Sequence, residues 1–208
     1  MINPSTAHDI KQRKDFQFIA NWVSNNSRVL DLGCGDGTLL RMLAEQKNAT
    51  GYGLELDAAS IPRCIDNKVN VIQMNLDKGL TEFDDCSFDF VMLSLTLQSV
   101  KHPEKLLEEM LRVGKIGIVS FPNFGHWRVR TQLMFGGKMP VLKSLPHRWY
   151  NTPNIHLCSV RDFEQYCQEN GINILESVVL DDERENSKLA NLHPNLFGNI
   201  AMFRVAKK

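Results

Sequence analysis

Short continuous apolar runs alternate along this chain with longer stretches of helical period. Val29-Leu30-Asp31-Leu32, Thr50-Gly51-Tyr52-Gly53-Leu54-Glu55-Leu56, Val71-Ile72-Gln73-Met74, Phe88-Asp89-Phe90-Val91-Met92-Leu93 and Gly117-Ile118-Val119-Ser120-Phe121 read as five strands. Unbroken apolar runs suit a sheet covered on both faces, where the in–out alternation of a half-exposed strand is lost. Between them, Phe16, Ile19, Ala20 and Val23 recur at helical spacing from about residue 9 to 24. That helix is expected to pack beside the turn after strand one and partly cover it. A second helix is predicted over residues 38–46. A short one opens at Asp57-Ala58-Ala59-Ser60 with Pro62 in its first turn. Another starts at His102-Pro103-Glu104, with Leu106, Leu107, Met110 and Leu111 as its buried stripe. Strands and helices in this rhythm predict a parallel α/β sheet.

After strand five the pattern changes. Residues 122–159 are rich in Pro, Gly, His, Arg and aromatics, with one helix expected near 126–135. Ser159-Val160-Arg161-Asp162 is spaced as a capping box. The helix it opens should bury Phe163, Tyr166 and Cys167. Residues 172–180 form a sixth strand, an acidic loop covers 181–185, and a final strand lies near 199–205. No linker composition divides the chain. One domain over 1–208 is therefore expected, with a nucleotide-type half at about 9–121, a basic and aromatic segment at about 122–159, and C-terminal elements at about 160–206.

Composition adds little until it is localised. Lys plus Arg and Asp plus Glu stand at 24 each in 208 residues, so net charge points to no partner. The cysteines at 34, 64, 86, 158 and 167 contain no Cys-x-x-Cys pair, and their odd number argues against a disulfide framework. The N-terminus has no apolar signal region and the chain has no run of 18 apolar residues, so a soluble cytoplasmic protein is expected.

The chemistry concentrates at Asp31-Leu32-Gly33-Cys34-Gly35-Asp36-Gly37-Thr38. A strand, a glycine turn and a helix in succession make a nucleotide-cofactor site. Glycines let backbone N–H groups approach a ligand, and the helix N-terminus faces it. The spacing is Asp-x-Gly-x-Gly-x-Gly. The dinucleotide fingerprint Gly-x-Gly-x-x-Gly would need its third glycine one position later, which leaves a nicotinamide-dependent oxidoreductase as a remote alternative. Glu55 ends strand two 18 residues after Gly37, where a carboxylate can accept both hydroxyls of a ribose. Asp31 can orient the turn or reach an ammonium group. Cys34 reads as a small side chain that fits between two glycines, a reactive thiol being the other reading.

Asp31-Leu32-Gly33-Cys34-Gly35-Asp36-Gly37, with Glu55, Asn75 and Phe88-Asp89-Phe90-Val91, resembles the class I S-adenosylmethionine (SAM)-dependent methyltransferases over about residues 27–121. The resemblance implies a Rossmann-like, mostly parallel seven-stranded sheet with helices on both faces and an antiparallel last strand. It also implies SAM or S-adenosylhomocysteine (SAH) as the ligand. Gly33, Cys34, Gly35 and Gly37 would lie along the methionine part, Glu55 and Leu56 at the ribose, and Asn75 with Leu76 at the adenine. Asn75 departs from the acid common there, though its amide can still serve the adenine amino group. Ser94, at the end of strand four, stands where such enzymes place acceptor-facing residues. The residues that follow, Leu95-Thr96-Leu97-Gln98, are not the Asn-Pro-Pro-Tyr type of tetrad used to methylate nucleobases or amides.

Three further blocks, Ser120-Phe121-Pro122-Asn123-Phe124-Gly125-His126-Trp127-Arg128-Val129-Arg130, Trp149-Tyr150-Asn151-Thr152-Pro153-Asn154-Ile155-His156-Leu157-Cys158 and Asn195-Leu196-Phe197-Gly198, resemble the MetW family of methionine-biosynthesis proteins. That likeness, from about 14 to 205, implies a role beside a homoserine O-acyltransferase partner. It supplies no methyl acceptor. A supporting or regulatory SAM-binding subunit is therefore the first reading, and an active methyltransferase on a small molecule the alternative.

Residues 110–161 contain no Asp or Glu, but hold Arg112, Lys115, Arg128, Arg130, Lys138, Lys143, Arg148 and Arg161. Arg128 and Arg130, if helical, point about 200° apart and do not grip one anion together. A bound anion, an acidic partner, or the 181–185 loop of the same chain could answer this charge. Nucleic acid is disfavoured, since eight cations in this stretch follow no known binding motif. His126 and His156 are candidate bases, with a hydrogen-bonded structural histidine as the competing reading, and their spacing fits no closed metal site. Trp127, Trp149 and Tyr150 complete the acceptor or partner face, because Trp, Tyr and Arg dominate buried contact patches.

Overall fold

The computed structural model describes residues 13–181, 190 and 192–208. Seven strands form one sheet in the order β3-β2-β1-β4-β5-β7-β6. They are β1 Arg28–Leu32, β2 Thr50–Glu55, β3 Val71–Gln73, β4 Phe88–Ser94, β5 Gly114–Pro122, β6 Ile172–Leu180 and β7 Ile200–Lys207. The helices are α1 Lys14–Trp22, α2 Thr38–Lys47, α3 Ile61–Asp66, α4 Pro103–Val113, α5 Trp127–Gly136, α6 Val160–Glu169 and α7 Pro194–Phe197. Every strand expected from the sequence is present. The expected residues 9–12 of the first helix and 182–185 of the acidic loop lie outside the described residues. The chain contacts define two compact units, one of residues 1–94 and 104–118, the other of 95–103 and 119–208.

In the first unit β1 runs parallel to β2, from Arg28 beside Thr50 to Leu32 beside Leu54, and parallel to β4 through Leu30 beside Val91. β2 pairs in parallel with β3. Val29, Leu30, Asp31 and Leu32 are all buried, as are Phe88 and residues 90–93, so these strands are covered on both faces. α4 buries Leu106, Leu107, Met110 and Leu111, the stripe read from its sequence. β5 begins three residues earlier than expected, directly at the end of α4. Gly114 permits this, because a Cβ there would press into the Val91 side chain. Arg112 fixes the loop before β4, donating to the carbonyls of Phe83 (2.9 Å) and Leu80 (3.0 Å) and pairing with Glu109 and Asp85.

The second unit is built on β6 and β7, antiparallel from Ile172 beside Lys207 to Leu180 beside Ile200, with one irregularity between Ile174 and Glu176. Phe121, Phe163 and Phe203 cluster beneath, with ring centroids 4.7–5.9 Å apart. The capping box at Ser159 and Asp162 forms as spaced. Tyr166 is only half-buried on that helix, whereas Phe163 and Cys167 are fully buried. The four-residue α7 has too short a pattern to be read from sequence.

Asn123 organises this unit. It is 1 % exposed. Its Nδ2 donates to the carbonyls of Gly198 (2.7 Å) and Asn195 (3.0 Å), and its Oδ1 accepts from the N–H groups of Gly125 (2.9 Å) and Val160 (3.2 Å). An isosteric carboxylate keeps the acceptor but turns the donor side into a second acceptor facing carbonyls. Asn123→Ala is expected to cost about 2–4 kcal/mol in urea unfolding, as several buried backbone groups lose partners. Asn123→Asp should cost at least as much, and more at higher pH.

Candidate functional site

The glycine turn leaves β1 and enters α2 in the first unit. Gly33, Gly35 and Gly37 have φ of +79°, +58° and +76°. A side chain at any of them would be strained, which accounts for glycine at alternate positions. Within the turn Asp36 Oδ1 accepts from Thr38 N–H (3.0 Å), and further supports of its backbone come from β2. The Leu54 carbonyl accepts from the N–H groups of Gly33 (2.8 Å) and Cys34 (3.1 Å). Glu55 Oε2 accepts from Gly35 N–H (2.7 Å), while its Oε1 accepts from Asp57 N–H (2.8 Å). A carboxylate has about four acceptor directions, so two remain for a ligand's hydroxyls. At Gly35 nothing lies within 4 Å of where a Cβ would sit, so the backbone there borders open space.

Asp31 lies at the foot of the turn, 2 % exposed. Its Oδ1 is buried without a hydrogen-bond partner. Desolvation pushes its carboxyl up to about 7; Arg13 opposes this and the Glu55 charge adds to it. A buried carboxylate atom with nothing to accept from is costly, and an ammonium or other cationic group would relieve it. Arg13, just before α1, also donates to Asp15 (2.7 Å). Arg13 thus puts a positive charge within electrostatic reach of the foot of the turn.

Asn75 and Leu76 follow β3, brought beside β2 by the Met74 N–H donating to the Glu55 carbonyl (2.9 Å). Asn75 Oδ1 accepts from Asp77 N–H (3.0 Å) and caps a 3-10 turn of Leu76–Lys78. Leu56 is 60 % exposed at the end of β2, and Ser94 closes β4 half-buried. Two partners of the turn escaped the sequence reading. Cys64 on α3 donates to the Gly35 carbonyl (3.1 Å) and lies 3.9 Å from the Cys34 sulfur. Asn67 Nδ2 donates to the Asp36 carbonyl (2.8 Å). No linear spacing connects either residue to the turn. Burial pushes the Cys34 thiol well above its usual range and raises that of Cys64, which suits Cys34 as a fitted small side chain and not as a thiolate nucleophile.

The remaining candidates occupy three places in the second unit. His126 is buried and caps α5, its Nδ1 accepting from Arg128 N–H (3.2 Å). Trp127 follows, with the Arg128 guanidinium 5.4 Å from its ring, and Arg130 donates to the Gly125 carbonyl (2.6 Å). Trp149 and Tyr150 pack edge-on in an exposed stretch. His156 sits beside the turn that follows β4. Its N–H donates to the Gln98 carbonyl (3.0 Å), and its Nε2 lies 3.2 Å from the Lys101 carbonyl. That turn holds another feature the sequence did not betray. Leu95 has φ +55°, a conformation a leucine adopts at a cost of about 1–3 kcal/mol. Its N–H donates to the Ser120 carbonyl (3.0 Å), and its carbonyl accepts from Gln98 Nε2 (2.9 Å). Gln98 is buried, and its Oε1 has no partner. Among the described residues no group of three or more His, Cys, Asp or Glu side chains could hold a metal, and no helix is long and apolar enough to cross a membrane.

Comparisons with known proteins agree with this geometry. The bifunctional methionine biosynthesis protein MetXA/MetW of Rhodopirellula baltica is 31% identical over 209 residues, 96% of this chain and 34% of that protein. The chain thus spans about a third of that relative's length. A demethylmenaquinone methyltransferase of Renibacterium salmoninarum is 29% identical over 137 residues, 62% of this chain and 56% of that protein. Among solved structures, a chain from the complex of the Haloferax volcanii Trm112 methyltransferase activator with its putative methyltransferase superposes with a TM-score of 0.68, at 16% identity and over 98% and 93% of the two chains. A SAM-dependent methyltransferase of Thermotoga maritima superposes with a TM-score of 0.65, at 17% identity and over 97% and 91%. At those identities the likeness is one of fold, a Rossmann-like class I methyltransferase sheet. The sequence family described as methionine biosynthesis protein MetW matches residues 13–205, and since that match takes in the glycine turn and the block after β5 alike, the chain belongs to the MetW family.

Proposed function

We propose that this protein binds SAM or SAH at the turn after β1 and serves methionine biosynthesis in the cytoplasm by supporting or regulating a homoserine O-acyltransferase. The observation that carries the ligand is the buried, unpartnered Asp31 carboxylate oxygen under a backbone turn bordering open space. Both ligands present an α-ammonium group for that acid, two ribose hydroxyls for the free directions of Glu55, and an adenine for the stretch at Asn75 and Leu76. Bound SAM would supply an electrophilic methyl on its sulfonium. This chain's residues bind and orient the ligand. Support for the partner comes from the family and from the Rhodopirellula relative, which joins a MetXA part and a MetW part in one chain. A subunit that senses SAM, itself made from methionine, would act if the partner bound the liganded and empty forms with different affinity.

A second reading, methyl transfer to a small molecule, is favoured by the turn after β4. A strained Leu95 and a buried, unpartnered Gln98 oxygen are the kind of local irregularity that functional sites retain. Transfer of a methyl from the sulfonium needs chiefly alignment of the acceptor, whose proton can pass to solvent water, so the lack of an evident base does not count against this reading. SAH released on incubating SAM with homoserine, its esters or cell extract would establish it.

Calorimetric titration with SAH tests the ligand. Gly35→Val, which fills the open space, should weaken SAH binding by more than about tenfold, and an unliganded melting curve measures the separate cost of a side chain at positive φ. Undiminished binding in that variant would refute the placement. Wild-type affinity should also depend on pH. Below about pH 7 Asp31 is protonated and must release its proton to meet the ammonium, so affinity should rise by up to about tenfold per pH unit and level off above. In Asp31→Asn the same titration should be weaker and flat. For the partner, the acyltransferase rate is to be measured with and without this protein, and with and without SAH. An unchanged rate together with failure to co-purify would refute that half of the proposal.

A further inference from the structure

The second unit carries an apolar surface that its own core does not use. Of the ten residues of α5 only Val129 is buried. Met134 and Phe135, in its last turn, are each 79 % exposed. A helix this short is not held by propensity. It persists through its ends, His126 capping the first turn and Gly137 N–H donating to the Leu133 carbonyl (3.2 Å) at the last. The chain then folds back, Val141 N–H donating to Gln132 Oε1 (3.2 Å), with Val141 exposed. Residues 146–151 are all exposed. Within them Trp149 is 75 % exposed, with Tyr150 against its edge and Arg148 donating to the Tyr150 hydroxyl (3.4 Å). Large aromatic and sulfur-bearing side chains left exposed within one segment mark interaction surfaces, and Trp, Tyr, Phe, Met and Arg are the residues enriched at interface cores.

The charge selects the occupant. Residues 110–161 contain no carboxylate side chain, and the exposed stretch adds Lys138, Lys143 and Arg148. Two copies meeting through this face would set cations against cations, which disfavours self-association. A lipid surface would select a helix with one apolar and one cationic face. α5 instead has its arginines, 128 and 130, in its first turn and its exposed Met134 and Phe135 in its last. We propose that residues 133–150 form a docking surface for a protein whose own face offers an apolar cleft rimmed by carboxylates. The inference rests on the acyltransferase reading above, which makes that protein the homoserine O-acyltransferase.

The test measures binding of the full-length chain to the purified acyltransferase at low and high salt. Met134→Ser with Phe135→Ser, and separately Trp149→Ala with Tyr150→Ala, should each weaken binding by at least about tenfold. SAH affinity and the unfolding midpoint of both variants should stay at wild-type values. Replacing Lys138, Lys143 and Arg148 by Glu should weaken binding and remove most of its salt dependence. Absence of binding by the wild type would refute the acyltransferase reading and this proposal with it. Wild-type binding that survives both double substitutions would overturn the surface alone and leave the reading intact. So would loss of a wild-type dimer in sedimentation, or of binding to phosphatidylserine vesicles or duplex DNA, in variants that still bind the acyltransferase.

Discussion

The hydrogen bond from Gly35 N–H to the Glu55 carboxylate settles the local architecture of the first unit. A turn with three glycines at positive φ, restrained from within only by the Asp36 carboxylate on Thr38 N–H, would in isolation sample many shapes. Here β2 fixes its N–H groups, through the Leu54 carbonyl on one side and Glu55 on the other, while Cys64 and Asn67 hold the carbonyls of Gly35 and Asp36. A charge-assisted bond of this kind contributes about 1.5–3 kcal/mol. It does so from a carboxylate whose second oxygen is tied to Asp57 N–H, so the acid is itself oriented. The residue expected to meet a ribose is therefore also the residue that shapes the turn. Losing it would remove a ligand contact and loosen the loop at once.

That arrangement makes the burial of Asp31 intelligible. Holding an ionised carboxyl whose titration has moved from 3.8 to about 7 costs roughly 4 kcal/mol above neutrality. The sign is that of a raised acid. The native state is favoured by the bound proton below the ordinary value of 3.8, and this advantage is lost as pH rises through about 7. A core packed for stability alone would place an apolar or amide side chain there. A carboxylate that is destabilising when empty becomes favourable when a cation arrives, so part of the folding cost is recovered as affinity.

The sequence made the strands of the first unit legible because buried parallel strands leave continuous apolar runs. It made the turn legible because positive φ demands glycine. Glu55 was found by its place at the end of a strand, although its bond to Gly35 was not. Cys64 and Asn67 were not legible, since they meet the turn from a short helix and its C-terminal end 29 or more residues on, and nothing in a single sequence records such a contact. Leu95 was not legible for a different reason. Glycine advertises positive φ, whereas a leucine forced into it by its bonds to Ser120 and Gln98 carries no mark of its strain. His126 offered a base and a hydrogen-bonded structural residue as competing readings, the second the stronger, and its Nδ1 is committed to the first turn of α5.

The three blocks that carry the resemblance to this family divide into two kinds once placed in the second unit. Asn123 of the first block holds Asn195 and Gly198 of the last, and Phe124 N–H donates to the Cys158 carbonyl at the end of the middle one (2.9 Å). Gly125 fits there because a Cβ would collide with the Asn195 side chain. These positions explain one another: three segments distant in sequence are a single hydrogen-bonded assembly, and changing one burdens the others. Trp149 and Tyr150 belong to the same blocks but take no part in that assembly, standing in solvent where aromatic side chains contribute least to folding. Their ring contact and the Arg148 hydrogen bond to the Tyr150 hydroxyl tie them to each other and to their own short stretch, apart from the three-segment assembly.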